Sequence, residues 1–225
     1  MAIQYKEIVP WGRSYEEYIS MFNLSEKDLD KSILGCGDGP ASFNTVMYQK
    51  GKKMISIDPI YSLTAEEIEK QIKATYQNVL IQTQQNKEKF IWNEIESVEE
   101  LGQIRMSAMK SFLSDYEKGK VQNRYIPAEL PNLPFENKQF DLVLCSHFLF
   151  LYTNNLTVDF HIQAINEMLR IANEVRIFPL MDVNSSRSIY VDEVLSRYTD
   201  LGYCAKEVQV NYEFQKGGNK MMVIF

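Results

Sequence analysis

The sequence predicts an α/β fold built on a doubly wound, mostly parallel sheet. Three observations carry that reading. Short apolar, β-branched runs alternate with longer stretches of helical periodicity, the pattern of βαβ units. Gly35, Gly37 and Gly39 cluster where the first of these runs meets the first helical stretch. Near the end, two β-rich segments, Ala205 to Phe214 and Lys220 to Phe225, are separated only by Gln215 to Asn219, so the last two strands form an antiparallel hairpin.

Each element follows from its residues. Ser32 to Leu34 is the first strand and runs into the glycines. Lys53 to Ile57 is the second and stops at Asp58-Pro59. Phe140 to Cys145 has the near-continuous apolar character of a strand buried on both faces, and Glu174 to Leu180 is a further strand. Pro40 to Gly51 reads as a helix with Pro40 in its first turn, followed after the second strand by a helix from Ala65 to about Leu80. Thr157 to Ala172 carries Ile162, Ile165, Met168 and Leu169 at helical spacing, and Tyr190 to Tyr198 is a shorter helix.

Two regions stand outside the alternation. In residues 1–30, Tyr15, Tyr18, Ile19 and Phe22 form the inward stripe of a helical cap. Residues 85–120 form a polar helical insertion before the third strand. Within it, Ser97 to Glu100 is a capping box; Leu101, Ile104, Ala108, Met109, Phe112 and Tyr116 make an apolar stripe, and Gly119 suits the position just past a helix end. This insertion fits a solvated helix with one core face and a substrate lid equally well. Together the 225 residues make one domain.

Composition excludes several functions. Against 30 acidic residues stand 24 Lys and Arg, a net charge of −6, which disfavours nucleic-acid backbones as partners. No apolar stretch approaches the ~20 residues of a membrane span, and residues 1–10 contain no apolar core of a signal peptide. The three scattered cysteines, Cys36, Cys145 and Cys204, read as reduced, mostly buried thiols of a cytoplasmic protein. With only two histidines, no metal-ligand spacing is present.

The glycine cluster marks the candidate site. A strand-to-helix turn exposes backbone N–H groups, and glycines let a ligand approach them closely. A dinucleotide fingerprint needs Gly-x-Gly-x-x-Gly; here the third glycine comes one position early and Pro40 holds the last site. Asp58 stands 19 residues after Gly39, at the tip of the second strand, where a carboxylate can accept hydrogen bonds from ribose hydroxyls. The alternative is a tight turn with no ligand.

These residues resemble the class I S-adenosylmethionine-dependent methyltransferases. Gly35-Cys36-Gly37-Asp38-Gly39 is similar to that family's first motif, and Asp58 after Met54 to Ile57 to its ribose-binding acid. Leu133-Pro134-Phe135 leading to Phe140-Asp141-Leu142-Val143 looks like its approach to the fourth strand, and Glu167 to Ile171 like the helix before its fifth. The resemblance covers about Ser32 to Phe225 and implies a seven-stranded sheet of order 3-2-1-4-5-7-6 with the last strand antiparallel.

It further implies S-adenosylmethionine as cofactor, held by Gly35, Cys36, Gly37, Asp38 and Gly39 at its methionine portion and by Asp58 and Pro59 at its ribose. Glu129 would flank the adenine, and Ser146 and His147, ending the fourth strand, would lie by the reacting centre. His147 reads either as a general base or as a pocket-shaping histidine. Phe148, Phe150 and Tyr152 beside it either line a pocket or pack the core, and His161 is structural or solvated. Arg13 and Tyr15 would cover the cofactor, with Arg13 paired to its carboxylate.

The chain also departs from the pattern. Ile33 replaces the acid usually found two residues before the first glycine, Asn173-Glu174 replaces a Gly-Gly before the fifth strand, and no Asn-Pro-Pro-Tyr follows the fourth. The expected acceptor is therefore a small molecule or another non-nucleic-acid group, with no membrane partner. Two rivals remain: a non-catalytic cofactor-binding or regulatory protein, motivated by Ile33, and a nucleotide- or NAD-dependent enzyme of another doubly wound family.

Overall fold

The computed structural model describes residues 9–225. Residues 1–8 of the expected N-terminal cap lie outside the described residues. Seven strands form one sheet: β1 (Ile33–Cys36), β2 (Met54–Ile57), β3 (Tyr125–Ile126), β4 (Phe140–Ser146), β5 (Ala172–Phe178), β6 (Ala205–Gln209) and β7 (Lys220–Ile224). Their order is β3-β2-β1-β4-β5-β7-β6, as the resemblance implied. Every pair from β3 to β5 is parallel, whereas β7 runs antiparallel to both β5 and β6. The chain winds outward from β1 to β3 and then returns to β4. That reversal opens a crevice at the carboxyl ends of β1 and β4, where ligands of such sheets bind.

The helices are α1 (Tyr15–Met21), α2 (Glu26–Leu29), α3 (Phe43–Gln49), α4 (Ala65–Gln85), α5 (Val98–Val121), α6 (Val158–Ile171) and α7 (Val191–Asp200). Strand alternation sorts the core into two layers. Val143 and Cys145 of β4 face Ile165 and Met168 of α6 and Val194 and Tyr198 of α7. Leu142 and Leu144 face the other way, onto Tyr18 of α1 and Phe43 and Met47 of α3. A third cluster, Tyr61, Ile68, Ile72, Phe112, Tyr116 and Tyr125, seats the α4–α5 pair beside β2 and β3.

Several local expectations are corrected. Pro40 lies in the turn before α3, not in its first turn, because Gly39 is left-handed (φ +52°) and the Ser42 N–H donates to the Arg13 carbonyl. Gly119 is inside α5, not beyond it; the missing Cβ admits the Tyr125 ring, and Asn123 (φ +56°) takes the left-handed place after the helix. Ser97 accepts from Glu100 N–H, but Glu100 reaches back to Glu96 N–H, so the box is half formed. β5 starts two residues earlier than expected, directly at the end of α6. Cys204 is exposed, whereas Cys36 and Cys145 are buried. His161 is buried rather than solvated: its Nδ1 donates to the Thr157 carbonyl at 2.8 Å, and Phe150 and Tyr190 flank its ring.

Candidate functional site

A cavity of about 860 Å³ opens at the carboxyl ends of the strands. Its lining divides by sheet position. Gly37, Asp38 and Gly39 follow β1, Asp58, Pro59 and Ile60 follow β2, and Ala128 and Glu129 follow β3. On the opposite half, Phe178 and Val183 end or follow β5, and Tyr212 and Phe214 lie between β6 and β7. Ser146 and His147, at the end of the central strand β4, lie between the halves.

The loop after β1 is shaped by backbone geometry. Gly37 (φ +68°) and Gly39 (φ +52°) are left-handed, a conformation costly for residues bearing a Cβ. Gly35 serves a different purpose: a Cβ there would lie 1.9 Å from Asp38 Oδ2. Its absence lets the Asp38 carboxylate turn back beneath the loop, where it accepts from Tyr18 Oη at 2.7 Å and Ser56 Oγ at 2.6 Å. Burial pushes the Asp38 carboxyl up to about 7. A buried acid thus lies under this loop although Ile33 holds the usual acidic position.

Asp58 ties the loop to β2. Its Oδ2 accepts from Gly39 N–H and its Oδ1 from Ile60 N–H, both at 2.9 Å. Each carboxylate oxygen retains a further lone pair for a ligand hydroxyl. Burial raises this carboxyl to about 6, the two backbone donors opposing the rise.

The lining also holds a cationic cluster. Arg105 of α5 is buried and ion-paired with Glu17 of α1. Glu17 also accepts from Tyr212 Oη at 2.8 Å. Arg13 adds a second guanidinium, whose Nη1 donates to the Trp11 carbonyl at 2.8 Å. Burial and the neighbouring Arg105 lower its pKa. The buried Nε atoms of both arginines have no hydrogen-bond partner. Two guanidiniums against one carboxylate leave a surplus positive charge with unspent donors, which calls for an anion.

His147 is itself left-handed (φ +52°), and its N–H donates to the Phe178 carbonyl at 2.7 Å. Its Nδ1 lies 3.0 Å from Ser146 Oγ. Burial, then Arg13 and Arg105, hold it well below the ordinary histidine range, so the ring is neutral near pH 7. Strain of this kind in a non-glycine residue concentrates at functional sites.

Of the residues picked out in the sequence, Gly37, Asp38, Gly39, Asp58, Pro59, Glu129, Ser146, His147 and Arg13 line this cavity. Gly35, Cys36 and Tyr15 are not in its lining. Gly35 and Cys36 belong to β1 itself, and the Cys36 side chain points into the core. Tyr15 lies on another face of α1, stacked on Phe43 and capped by Lys50. Phe148 and Tyr152 line the cavity, whereas Phe150 packs the core. Sequence reasoning missed Glu17, Arg105 and Tyr212. One signal for Arg105 was legible: it stands four residues after Leu101 and four before Met109, a charge on the apolar stripe. Among the described residues, no group of histidines, cysteines and carboxylates could hold a metal ion.

Comparison with known proteins places the chain. No protein-family model matches it. The uncharacterized protein MJ0045 of Methanocaldococcus jannaschii is 37% identical over 220 residues, 97% of this chain and 96% of that one. The chain belongs to the MJ0045 family. Solved structures match in fold. WbdD gives a TM-score of 0.51 at 10% identity, over 93% of this chain and 40% of that one. The magnesium protoporphyrin IX methyltransferase ChlM of Synechocystis PCC 6803, with bound SAM, gives 0.49 at 9% identity, over 93% and 76%. With its 3-2-1-4-5-7-6 sheet, this member of the MJ0045 family has the Rossmann-like fold of class I methyltransferases.

Proposed function

We propose that the chain is an S-adenosylmethionine-dependent methyltransferase acting on a small-molecule acceptor. One observation carries the reading: a single cavity presents a carboxylate suited to a ribose together with a surplus guanidinium suited to a carboxylate. The same lining holds a glycine loop that permits close backbone approach. That is the chemistry of a nucleoside joined to an amino acid. Asp58 would accept from the ribose hydroxyls, the Gly37–Gly39 backbone would flank the methionine portion, and Arg13 would pair with its carboxylate. Glu129 would lie on the adenine side.

When bound, the cofactor supplies a methyl group on a sulfonium sulfur: the acceptor's lone pair bonds to the methyl carbon as the carbon–sulfur bond breaks, its electron pair remaining on sulfur. Such a displacement depends chiefly on alignment. His147 is suited to accept a hydrogen bond from the nucleophile and orient its lone pair. Its low basicity makes it an orienting acceptor more than a store for the proton. A cavity within the ~300–1,000 Å³ of small-ligand sites supports a small acceptor.

Calorimetric titration tests this reading. Micromolar binding of S-adenosylmethionine and S-adenosylhomocysteine, abolished in Asp58→Ala, is expected. Binding of NADH with no response to either sulfur compound would overturn it. Binding of S-adenosylmethionine without methyl transfer to any acceptor in a panel would favour a binding protein over an enzyme.

A further inference from the structure

We infer that the acceptor is an uncharged, ring-containing molecule that carries its polar hydrogen at the reacting end and no charge elsewhere. This rests on the methyltransferase reading above and extends it to the other half of the cavity. That half is walled by Val79 of α4, Leu101 of α5, Phe90, Phe178, Val183 and Phe214. Three aromatic faces and three aliphatic side chains favour a flat apolar body.

The polar groups on these walls are already engaged. Thr83 Oγ1 donates to the Val79 carbonyl at 2.8 Å, and Tyr212 Oη donates to Glu17. The Gln215 amide donates to the Asp182 carbonyl and Ser185 Oγ, both at 3.0 Å. His147 differs: its Nδ1 faces Ser146 Oγ at 3.0 Å, and its ring lines the cavity with Nε2 as the atom for a ligand. A hydroxyl or N–H of the acceptor would donate to it and be oriented by it, and the proton is lost from the methylated product to water.

Charge bookkeeping points the same way. Arg13 and Arg105 face Glu17 within the protein, and the cofactor's carboxylate would complete the balance. No arginine or lysine of the lining then remains to pair with an anionic acceptor, and an unpaired buried charge is costly. The wall of the chamber is also cross-linked. The Ile91 N–H donates to the Phe214 carbonyl at 2.8 Å and the Lys216 N–H to the Lys89 carbonyl at 2.9 Å. Phe90 stacks on Phe214 at 5.0 Å, and Trp92 meets its edge at 5.3 Å. The segment after α4 is thereby laced to the β6–β7 connection, which fixes Phe90 and Phe214 in the cavity wall.

The test uses the full chain saturated with S-adenosylhomocysteine, titrated with 2-naphthol and with 6-hydroxynaphthalene-2-sulfonate. The two share ring and hydroxyl and differ in one charge. The expected result is naphthol binding at least about tenfold tighter than the sulfonate, reduced about tenfold in Phe214→Ala and in Leu101→Asn, with S-adenosylhomocysteine affinity unchanged in both variants. Retained S-adenosylhomocysteine affinity certifies that each variant is folded. Equal or tighter binding of the sulfonate, or no naphthol binding to the saturated protein, overturns the inference. Failure of S-adenosylhomocysteine itself to bind overturns the methyltransferase reading instead, and the acceptor inference falls with it.

Discussion

At the scale of the residue, two aspartates with raised pKa values organise the β1–β2 junction. Asp58 has a carboxyl near 6, and under the proposed function the ribose hydroxyls would donate to its ionised form. Cofactor binding therefore favours deprotonation, and affinity for S-adenosylhomocysteine should rise from pH 5 to pH 7.5. Calorimetry across that range should find the rise in the native chain and lose it in Asp58→Asn. Asp38 is raised to about 7, so the folded state favours its protonated form. Its contribution to stability is present at low pH and is lost as pH rises through about 7. Replacing it by Asn removes that dependence. The melting temperature of Asp38→Asn, relative to the native chain, should shift in the variant's favour between pH 5.5 and pH 8. Gly35→Ala would drive a methyl group into the Asp38 carboxylate and should cost about 1–3 kcal/mol in chemical denaturation. The glycine spacing and Asp58 were legible as a loop and an acid. The turn of Asp38 under the loop was not, because it depends on Tyr18 and Ser56 arriving from α1 and β2.

At the scale of the element, α4 and α5 decide what the cavity can admit. The pattern of the insertion fits a solvated helix with one core face and a lid equally; in the fold α5 has both a core-packed half and residues in the cavity lining. Its C-terminal half packs Phe112 and Tyr116 against Tyr61 and Tyr125, while Leu101 and Arg105 reach the cavity. Arg105 links α5 to α1 through Glu17, and Glu17 links onward to Tyr212. Removing Arg105 breaks the buried ion pair while Arg13, Ser14 N–H and Tyr212 still face Glu17, so Arg105→Ala should destabilise by about 1–3 kcal/mol, read by denaturant unfolding. In contrast, Phe214→Ala should act locally. Amide hydrogen exchange at residues 87–92 should quicken, while α6 and the central strands keep their protection. Helical periodicity identified α5 from its own sequence. Its partner Glu17 lies 88 residues away, and no local pattern reports such a pairing.

At the scale of the whole molecule, the sheet order places every ligand-facing loop at one end of the domain. Among the described residues, no helix is long and apolar enough to cross a membrane. If the cofactor binds only the folded chain, S-adenosylhomocysteine at one hundred times its dissociation constant adds about 2.7 kcal/mol. For a chain of this length that corresponds to a melting-temperature rise of roughly 5–10 °C by differential scanning calorimetry. A chain that shows no rise does not bind it.

The sequence by itself determined the alternation of strands and helices, the glycine turn, the acid at the tip of β2 and the terminal hairpin. Each is written in a short window, where side-chain period, glycine placement and strand ends act on their immediate neighbours. Only the tertiary structure decided that Tyr15 and Cys36 stand clear of the cavity, that Arg13, Glu17, Arg105 and Tyr212 form one charged cluster, and that the post-α4 segment is tied to the β6–β7 connection. Those outcomes join residues as much as 195 positions apart, and such contacts exist only once the sheet has ordered its strands and the insertion has folded back across them.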